Sequence, residues 1–329
     1  MKKVLCFGEV LIRQQAMSDD FFSTPHNHLQ IFAGGSEANV AVSLSKMENE
    51  VALFTAVPKH ELASQLIDCI AGSAVDVTKI KYQGDRIGSY ILLSANGLSK
   101  GEVIYDRKYS SFSQLTIADI NPDEFFQDID WLHWTALTPA INNELATLMA
   151  FVLEEASRRS ITISVDLNYR SKLWQYGKEP IEVMPRLVDY CDVIMGNIWA
   201  ANKMLGSSID ESFDRNTTRE TYLAFAQQSA KELFEKFTKC KHVANTFRFM
   251  DSPSHNLFYG SYHTPTSDAY SAPRETNQVV DRIGSGDAFM AGLIHAIRKN
   301  NKPQEIINIA TSAGFEKLFV VGDFGNGKY

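Results

Sequence analysis

Residues Val279–His295 read V-V-D-R-I-G-S-G-D-A-F-M-A-G-L-I-H. Two apolar β-branched residues feed a tight Gly284-Ser285-Gly286 turn, and from Ala288 to Ile297 the chain is apolar almost all the way round. This pattern predicts a strand end, a turn and a buried helix. A glycine-bracketed turn at a helix start presents backbone N–H groups that lack intrahelical partners, and the helix dipole adds partial positive charge there. Such a place holds an anion. The carboxylate of Asp287 is then out of place unless it has chemical work, and a general base for a hydroxyl attacking a phosphoryl group is such work. A simple helix cap, with glycines present for close packing, accounts for the same residues without chemistry.

The run Asp281–Phe289, D-R-I-G-S-G-D-A-F, resembles the D-T-x-G-A-G-D-x-F signature of the ribokinase-like (PfkB) sugar kinases. The resemblance implies that Gly284, Ser285 and Gly286 form the anion hole for the transferred phosphoryl group and that Asp287 is the base. Arg282 stands where the family usually has Thr, and Ser285 stands for Ala. Neither change removes a backbone donor. A second segment, Ala33-Gly34-Gly35-Ser36-Glu37-Ala38-Asn39-Val40-Ala41, has paired glycines before a small-residue helix start, which lets backbone approach a ligand. It is similar to the G-G-x-x-x-N sugar-binding element of the same family, in the form associated with 2-keto-3-deoxygluconate kinases. Gly34, Gly35, Ser36, Glu37, Ala38 and Asn39 are therefore expected at the substrate.

The chain has 329 residues, enough for a substantial core in one large α/β domain or two smaller ones. A net charge of −7 points away from nucleic acid and anionic membranes as partners, so a polyanionic nucleotide must be captured by local features. Cys6, Cys69, Cys191 and Cys240 are scattered without metal-ligand spacing and read as reduced, mostly buried thiols. The apolar run Val4–Phe7 is cut by Gly8 and Glu9, too short for a signal peptide, and no run is long enough to span a bilayer. The protein is expected to be cytoplasmic.

Taken in order, Val4–Phe7 is a buried strand without a G-x-G-x-x-G after it, which argues against a dinucleotide fold. Val10–Phe32 reads as edge strands or a flap. Val51–Val57 is a strand stopped by Pro58, and Glu61–Ile70 a helix closed by Gly72, giving the β-α-β-α rhythm of a helix-covered parallel sheet. Ile87–Ser94, the Asn96-Gly97 turn signal and Glu102–Arg107 then predict an antiparallel hairpin. With Val10–Phe32 it forms a small sheet off the main one, a lid of the kind that excludes water from a reactive phosphoryl group. The hairpin carries Tyr90, Tyr105 and Arg107, which match the family's Y-x-R element over the sugar.

Asp130–Leu137 is the next strand, Asn142–Arg158 a helix, and Ile161–Val165 a strand running into Asp166-Leu167-Asn168-Tyr169-Arg170. Polar residues just past a strand's carboxyl end sit where open α/β sheets bind ligands. D-L-N-Y-R resembles the deoxygluconate-kinase segment whose Arg meets the substrate, and arginine suits a sugar acid because its planar fork matches a carboxylate. Asp192–Met195 is a strand ending at Gly196-Asn197. The family continues N-x-x-E, its Glu arranging the metal through water, but here the fourth residue is Ala200, which leaves the metal ligands undetermined. Thr221–Lys239 is a helix and His242–Thr246 a strand. Thr246-Phe247-Arg248 falls at the family's nucleotide-contacting loop, and the resemblance places Asn168, Asn197, Thr246, Arg248, Gly284 and Gly286 at the nucleotide. Asp251–Ala272 reads as turn-rich chain flanking the adenine, and Gln304–Phe319 as the final helix. Gly322-Asp323 resembles the G-D beside which these kinases place a substrate contact.

The expected fold is a single three-layer α/β ribokinase-like domain over residues 1–329, a mostly parallel sheet with helices on both faces. Its lid strands fall within residues 10–33 and 86–112. The resemblance implies ATP-dependent, Mg²⁺-assisted phosphorylation of 2-keto-3-deoxygluconate to its 6-phosphate. The alternatives are a kinase for another sugar, such as fructose or ribose, and a catalytically weak sugar- or nucleotide-binding protein of the same fold. An open lid sheet makes a homodimer through the lid the expected oligomer.

Overall fold

The structure is a computed structural model that describes residues 2–16, 22, 28–93 and 102–329. The Asn96-Gly97 turn expected between the lid strands lies outside these residues. In chain order the strands are β1 (Lys3–Phe7), β2 (Leu11–Ala16), β3 (Leu29–Gly34), β4 (Val51–Phe54), β5 (Ala56–Val57), β6 (Lys81–Tyr82), β7 (Gly88–Leu93), β8 (Glu102–Asp106), β9 (Ile129–Thr135), β10 (Thr162–Asp166), β11 (Val193–Gly196), β12 (His242–Phe249), β13 (Asn256–Thr264), β14 (Ser267–Tyr270) and β15 (Arg274–Thr276). The α-helices are α1 (Ser36–Lys46), α2 (Glu61–Ala71), α3 (Pro122–Phe125), α4 (Asn143–Arg158), α5 (Pro180–Val188), α6 (Ile198–Leu205), α7 (Arg219–Lys236), α8 (Ser285–Arg298) and α9 (Pro303–Glu316).

Strand β1 shows why the sheet is central. Val4 and Cys6 pack into one core with α1, α8 and α9, while Leu5 and Phe7 pack into another with α4, α5 and α6. A strand buried on both faces reads as a continuous apolar run, because alternate side chains serve opposite layers. The main sheet runs β14-β13-β12-β11-β10-β9-β1-β4, with β15 also on β13. From β4 to β12 neighbouring strands are parallel, and β13, β14 and β15 close that end antiparallel. The lid is a separate sheet, β3-β2-β7-β8, in which β7 and β8 pair antiparallel, as expected of the predicted hairpin. None of the helices among the described residues is long and apolar enough to cross a membrane.

Three expectations are corrected. Val279–Val280 is not a strand end: Val280 is exposed, and its N–H donates to the Leu318 carbonyl (2.8 Å), so the segment is a loop pinned to the chain after α9. Asp251–Ala272 is not turn-rich chain but contains β13 and β14, whose aromatic and β-branched residues fill the sheet's antiparallel end. Val51–Val57 is interrupted at Thr55, where β4 leaves the main sheet and β5 pairs β6 instead. Helix α6, beside the cleft, carries readable start and stop signals. Asn197 caps α6 by accepting the Ala200 N–H (2.7 Å), and α6 ends at left-handed Gly206 (φ 71°), a common helix stop. Helix α5 starts on Pro180 and tolerates Pro185 inside it.

Candidate active site

A cleft of about 590 Å³ opens at the carboxyl ends of the parallel strands, beneath the lid. That is the ligand-binding edge of an open α/β sheet, and the volume suits a small ligand. Helix α8 brings its first turn to the cleft floor. Gly284 precedes the helix in the left-handed region (φ 81°), where a Cβ would come 2.0 Å from the Asp323 carbonyl oxygen, so only glycine fits that corner. The helical ladder begins with the Ala288 N–H donating to the Gly284 carbonyl (2.8 Å), which leaves the N–H groups of Gly286 and Asp287 ahead of it. A Cβ on Gly286 would meet no protein atom within 4 Å. Packing does not demand glycine there; the free space faces the cleft.

Asp287 is buried and held from across the cleft by α1. Ser36 Oγ donates to its Oδ1 (2.5 Å) and Asn39 Nδ2 to its Oδ2 (2.7 Å). Burial pushes its carboxyl above the ordinary carboxylate range, and these two hydrogen bonds, with the Arg170 and Lys317 charges, oppose that shift. An ionised carboxylate has about four acceptor positions, so two donors leave room for a substrate hydroxyl. Asn168 Nδ2 reaches Ser36 Oγ (3.3 Å), joining the chain after β10 to the same network. At the end of β10, Asp166 lines the cleft, and burial raises it to about 7.

Three arginines surround the α8 turn. Arg248, at the end of β12, faces the open cleft and donates from Nη1 to Ser285 Oγ (3.0 Å). The protein walls behind it, together with the Arg170 and Arg282 charges, lower it to about 10. Arg282 is buried, and its Nη2 donates to the carbonyls of Ser252 (3.4 Å), Pro253 (2.6 Å) and His255 (3.1 Å), tying the β12–β13 connection to the turn. Like charges gathered around free N–H groups make a site for a multiply charged anion.

The lid supplies the roof. Tyr90 and Tyr105 sit opposite each other on β7 and β8, their ring centroids 6.3 Å apart, and both line the cleft. Arg107 also reaches the cleft, but its Nε is committed to Glu9 Oε2 (2.5 Å), and Ser110 holds the other oxygen of Glu9. Arg170 is exposed, lines the cleft and makes one weak bond, to the Tyr169 carbonyl (3.3 Å). Asp323 closes the end of the cleft, accepting the Tyr90 hydroxyl (3.3 Å).

Thus the geometry gathers Gly35, Ser36, Asn39, Asn168, Asn197 and Thr246 around the cleft with the turn, the arginines and the lid tyrosines. Gly34, Glu37 and Ala38 are not among its walls. Gly34 backs onto the Asp323 carboxylate, and Ala38 packs in the core. Glu37 turns inward to accept the Thr135 N–H (3.0 Å) and hydroxyl (2.7 Å), because position 37 lies on the helix face opposite the cleft. Sequence reasoning missed Arg13, a charged residue on the inward face of β2, because L-I-R-Q-Q-A has no alternation that tells one face from the other. Trp199 and Met250, which also line the cleft, carried no signal beyond their apolarity.

The sequence pattern of the pfkB family carbohydrate kinases matches residues 1–322. The chain belongs to that family. It is an ATP-dependent carbohydrate kinase with the ribokinase-like fold. The 2-dehydro-3-deoxygluconokinase of Bacillus subtilis is 23% identical over 292 residues, covering 88% of this chain and 81% of the relative. The 2-dehydro-3-deoxygalactonokinase of Haloferax volcanii is 23% identical over 326 residues, 98% of this chain and 92% of its own. Among solved structures, the 2-dehydro-3-deoxygluconokinase of Thermotoga maritima superposes with a TM-score of 0.87 at 29% identity, covering 98% of this kinase and 96% of that chain.

Proposed function

We propose that this kinase transfers the γ-phosphoryl group of ATP to the 6-hydroxyl of 2-keto-3-deoxygluconate, with Asp287 as general base. The observation that carries the reading is the placement of Asp287: a buried carboxylate in the first turn of α8, beside unpaired N–H groups, held by Ser36 and Asn39. The sugar O–H bond breaks as its oxygen attacks phosphorus, and the bond from phosphorus to the bridging oxygen of ADP breaks in line. The proton passes to Asp287 and then to solvent. Because an ionised aspartate is a weak base, the proton moves late, and positioning by the cleft contributes most of the rate.

The N–H groups of Gly286 and Asp287, with Arg248 beside Ser285, would meet the charge on the moving phosphoryl group. Arg170, free of a strong partner, would read the substrate carboxylate, and Tyr90 and Tyr105 would cover the sugar. Arg107, already bound to Glu9, serves that reading less directly.

Among the described residues no cluster of three or more His, Cys, Asp or Glu side chains could hold a metal by itself. The cleft does offer Asp166, Asn168 and Asn197, all oxygen donors suited to Mg²⁺ that keeps its waters and the nucleotide's phosphates as ligands. A bound Mg²⁺ would supply charge neutralisation on the phosphates. Ala200 contributes no donor there, and its N–H is taken by Asn197.

A second copy of the chain is the partner we propose for the lid. Ile31, Gln14, Ile91 and Ile104 form one cross-strand row on the lid face away from the cleft, with Ile31 66% and Ile104 43% exposed. Two such rows are self-complementary about a twofold axis. Sedimentation should give a dimer that Ile104→Glu dissociates, and a wild-type monomer would contradict it. The enzymatic reading is tested by coupled ADP release over a panel of sugars and sugar acids. Turnover highest with 2-keto-3-deoxygluconate supports it, and turnover highest with fructose or ribose replaces the substrate.

A further inference from the structure

We propose that Arg13 is a positioning residue for phosphoryl transfer, a buried link through which lid strand β2 sets the loop that forms the α8 turn. The proposal rests on the phosphoryl-transfer reading of the cleft. Arg13 sits in the inward cross-strand row Phe32–Arg13–Tyr90–Tyr105, with 0% of its surface exposed and its guanidinium 4.0 Å from the centre of the Phe32 ring. Arginine does not shed its proton on burial, so it must find counter-charges. It finds two, from different segments. Its Nη2 and Nη1 donate to Asp281 Oδ2 (2.8 Å) and Oδ1 (3.4 Å), and its Nε lies 2.9 Å from Asp323 Oδ1, a charge contact without hydrogen-bond alignment.

Asp281 passes the constraint on. Its Oδ1 accepts the Ile283 N–H (3.0 Å), immediately before Gly284, and its Oδ2 accepts the Gly322 N–H (3.1 Å). Asp323, next in the chain, presents the backbone oxygen that leaves no room for a Cβ on Gly284. Lys317 braces the same corner, its Nζ donating to the carbonyls of Asp281 (3.3 Å) and Val320 (2.9 Å). The other oxygen of Asp323 accepts the Tyr90 hydroxyl in the cleft roof. One guanidinium therefore joins the roof that covers the sugar to the two segments that shape the turn. A root that merely held the lid on would need one partner, not a fork divided between the turn's approach and the cleft's end. Movement of β2 on sugar binding pulls on Asp281 and so on the turn.

The test uses Arg13→Lys, Asp281→Asn and the double variant in the full chain, on the sugar that wild type turns over fastest, with kcat, both KM values and melting temperature measured. Lysine keeps a positive charge but cannot fork to two carboxylates. Misplacing reacting groups by about 1 Å can cost a hundredfold, so kcat should fall about ten- to a hundredfold in each single variant. KM for ATP should stay within about twofold of wild type in each. The double variant should lose no more than the weaker single, because both break one link. Wild-type kcat in Arg13→Lys, with or without a lower melting temperature, overturns the proposal and leaves Arg13 a structural strut; so do independent, multiplicative losses. If Arg13→Lys does not fold, Asp281→Asn decides alone, and an unchanged kcat there is the overturning result. Wild-type protein inert on every sugar would instead overturn the phosphoryl-transfer reading and this proposal with it.

Discussion

Asp287 draws both of its protein donors from one helix that enters the cleft from the far side, so its charge and its aim are set together by Ser36 and Asn39. Replacing it by asparagine keeps the size and removes the proposed base. Asp287→Asn should fold and bind ATP normally while losing about two to four orders of magnitude in turnover, the range for a lost general base; a near wild-type rate would leave Asp287 as a helix cap. The donors predict a pH effect of definite sign. A hydrogen bond given to the ionised form lowers a carboxyl's pKa, so removing one raises it. The acid limb of the kcat/KM profile should therefore move to higher pH in Ser36→Ala, since a lower proton concentration is then needed to ionise the base. A limb that stays put would mean that another group titrates there. At this scale the sequence was informative where a residue's type departs from what its position needs, as an acid at an anion-binding turn does. It named Asp166 only as the first of a polar run after a strand and not as buried, since its burial at the end of β10 comes from tertiary packing, and it misplaced Glu37, because a motif names neighbours in sequence but not which side of a helix each faces.

Helix α8 shows what an element adds to its residues. The two glycines of its turn do different work, and substitution separates them. Gly284→Ala forces a side chain into the Asp323 backbone at a positive φ and should destabilise the fold. Gly286→Ala has ordinary backbone and free space; in a helix, alanine is favoured over glycine by about 0.5–1 kcal/mol. We expect Gly286→Ala to melt no lower than wild type yet lose turnover as the methyl enters the phosphoryl site. Full activity with unchanged stability would show that the space beside Gly286 is not used. The lid makes a second prediction. Its cleft face carries Tyr90 and Tyr105, so amide exchange in residues 86–93 and 102–110 should slow on addition of sugar, and no change would mean a roof fixed before substrate arrives. The lid pair was legible because Ile87–Ser94 and Glu102–Arg107, rich in β-branched and aromatic residues, flank the Asn96-Gly97 turn signal. Helix α5 was not, because Pro185 inside it is a breaker that only packing overrides. β13 was missed because glycine and serine at Gly260 and Ser261 imitate a turn, whereas in the sheet Gly260 lets Ile307 of α9 pack close and Ser261 donates to Asn245 on the opposite face.

For the whole molecule, the parallel sheet brings to one edge residues that lie between Gly35 and Asp323 in sequence, and the lid covers them. That convergence follows from topology: the carboxyl ends of all parallel strands lie on one side, so the chain arrives at the same edge after each parallel strand. What topology does not choose is the sugar, and the claim of a sugar acid rests on arginine. Arg107 is a poor probe, because truncating it would leave Glu9 buried without its partner. Arg170 is exposed and weakly bonded, so its loss should leave the fold alone. The most direct measurement is kcat/KM for wild type and Arg170→Ala on 2-keto-3-deoxygluconate and on the best neutral hexose. A charge-assisted hydrogen bond is worth about 1.5–3 kcal/mol, so the variant should lose roughly ten- to a hundredfold on the acid and little on the neutral sugar. Equal losses on both, or a wild-type preference for the neutral sugar, would contradict recognition of a substrate carboxylate at this site.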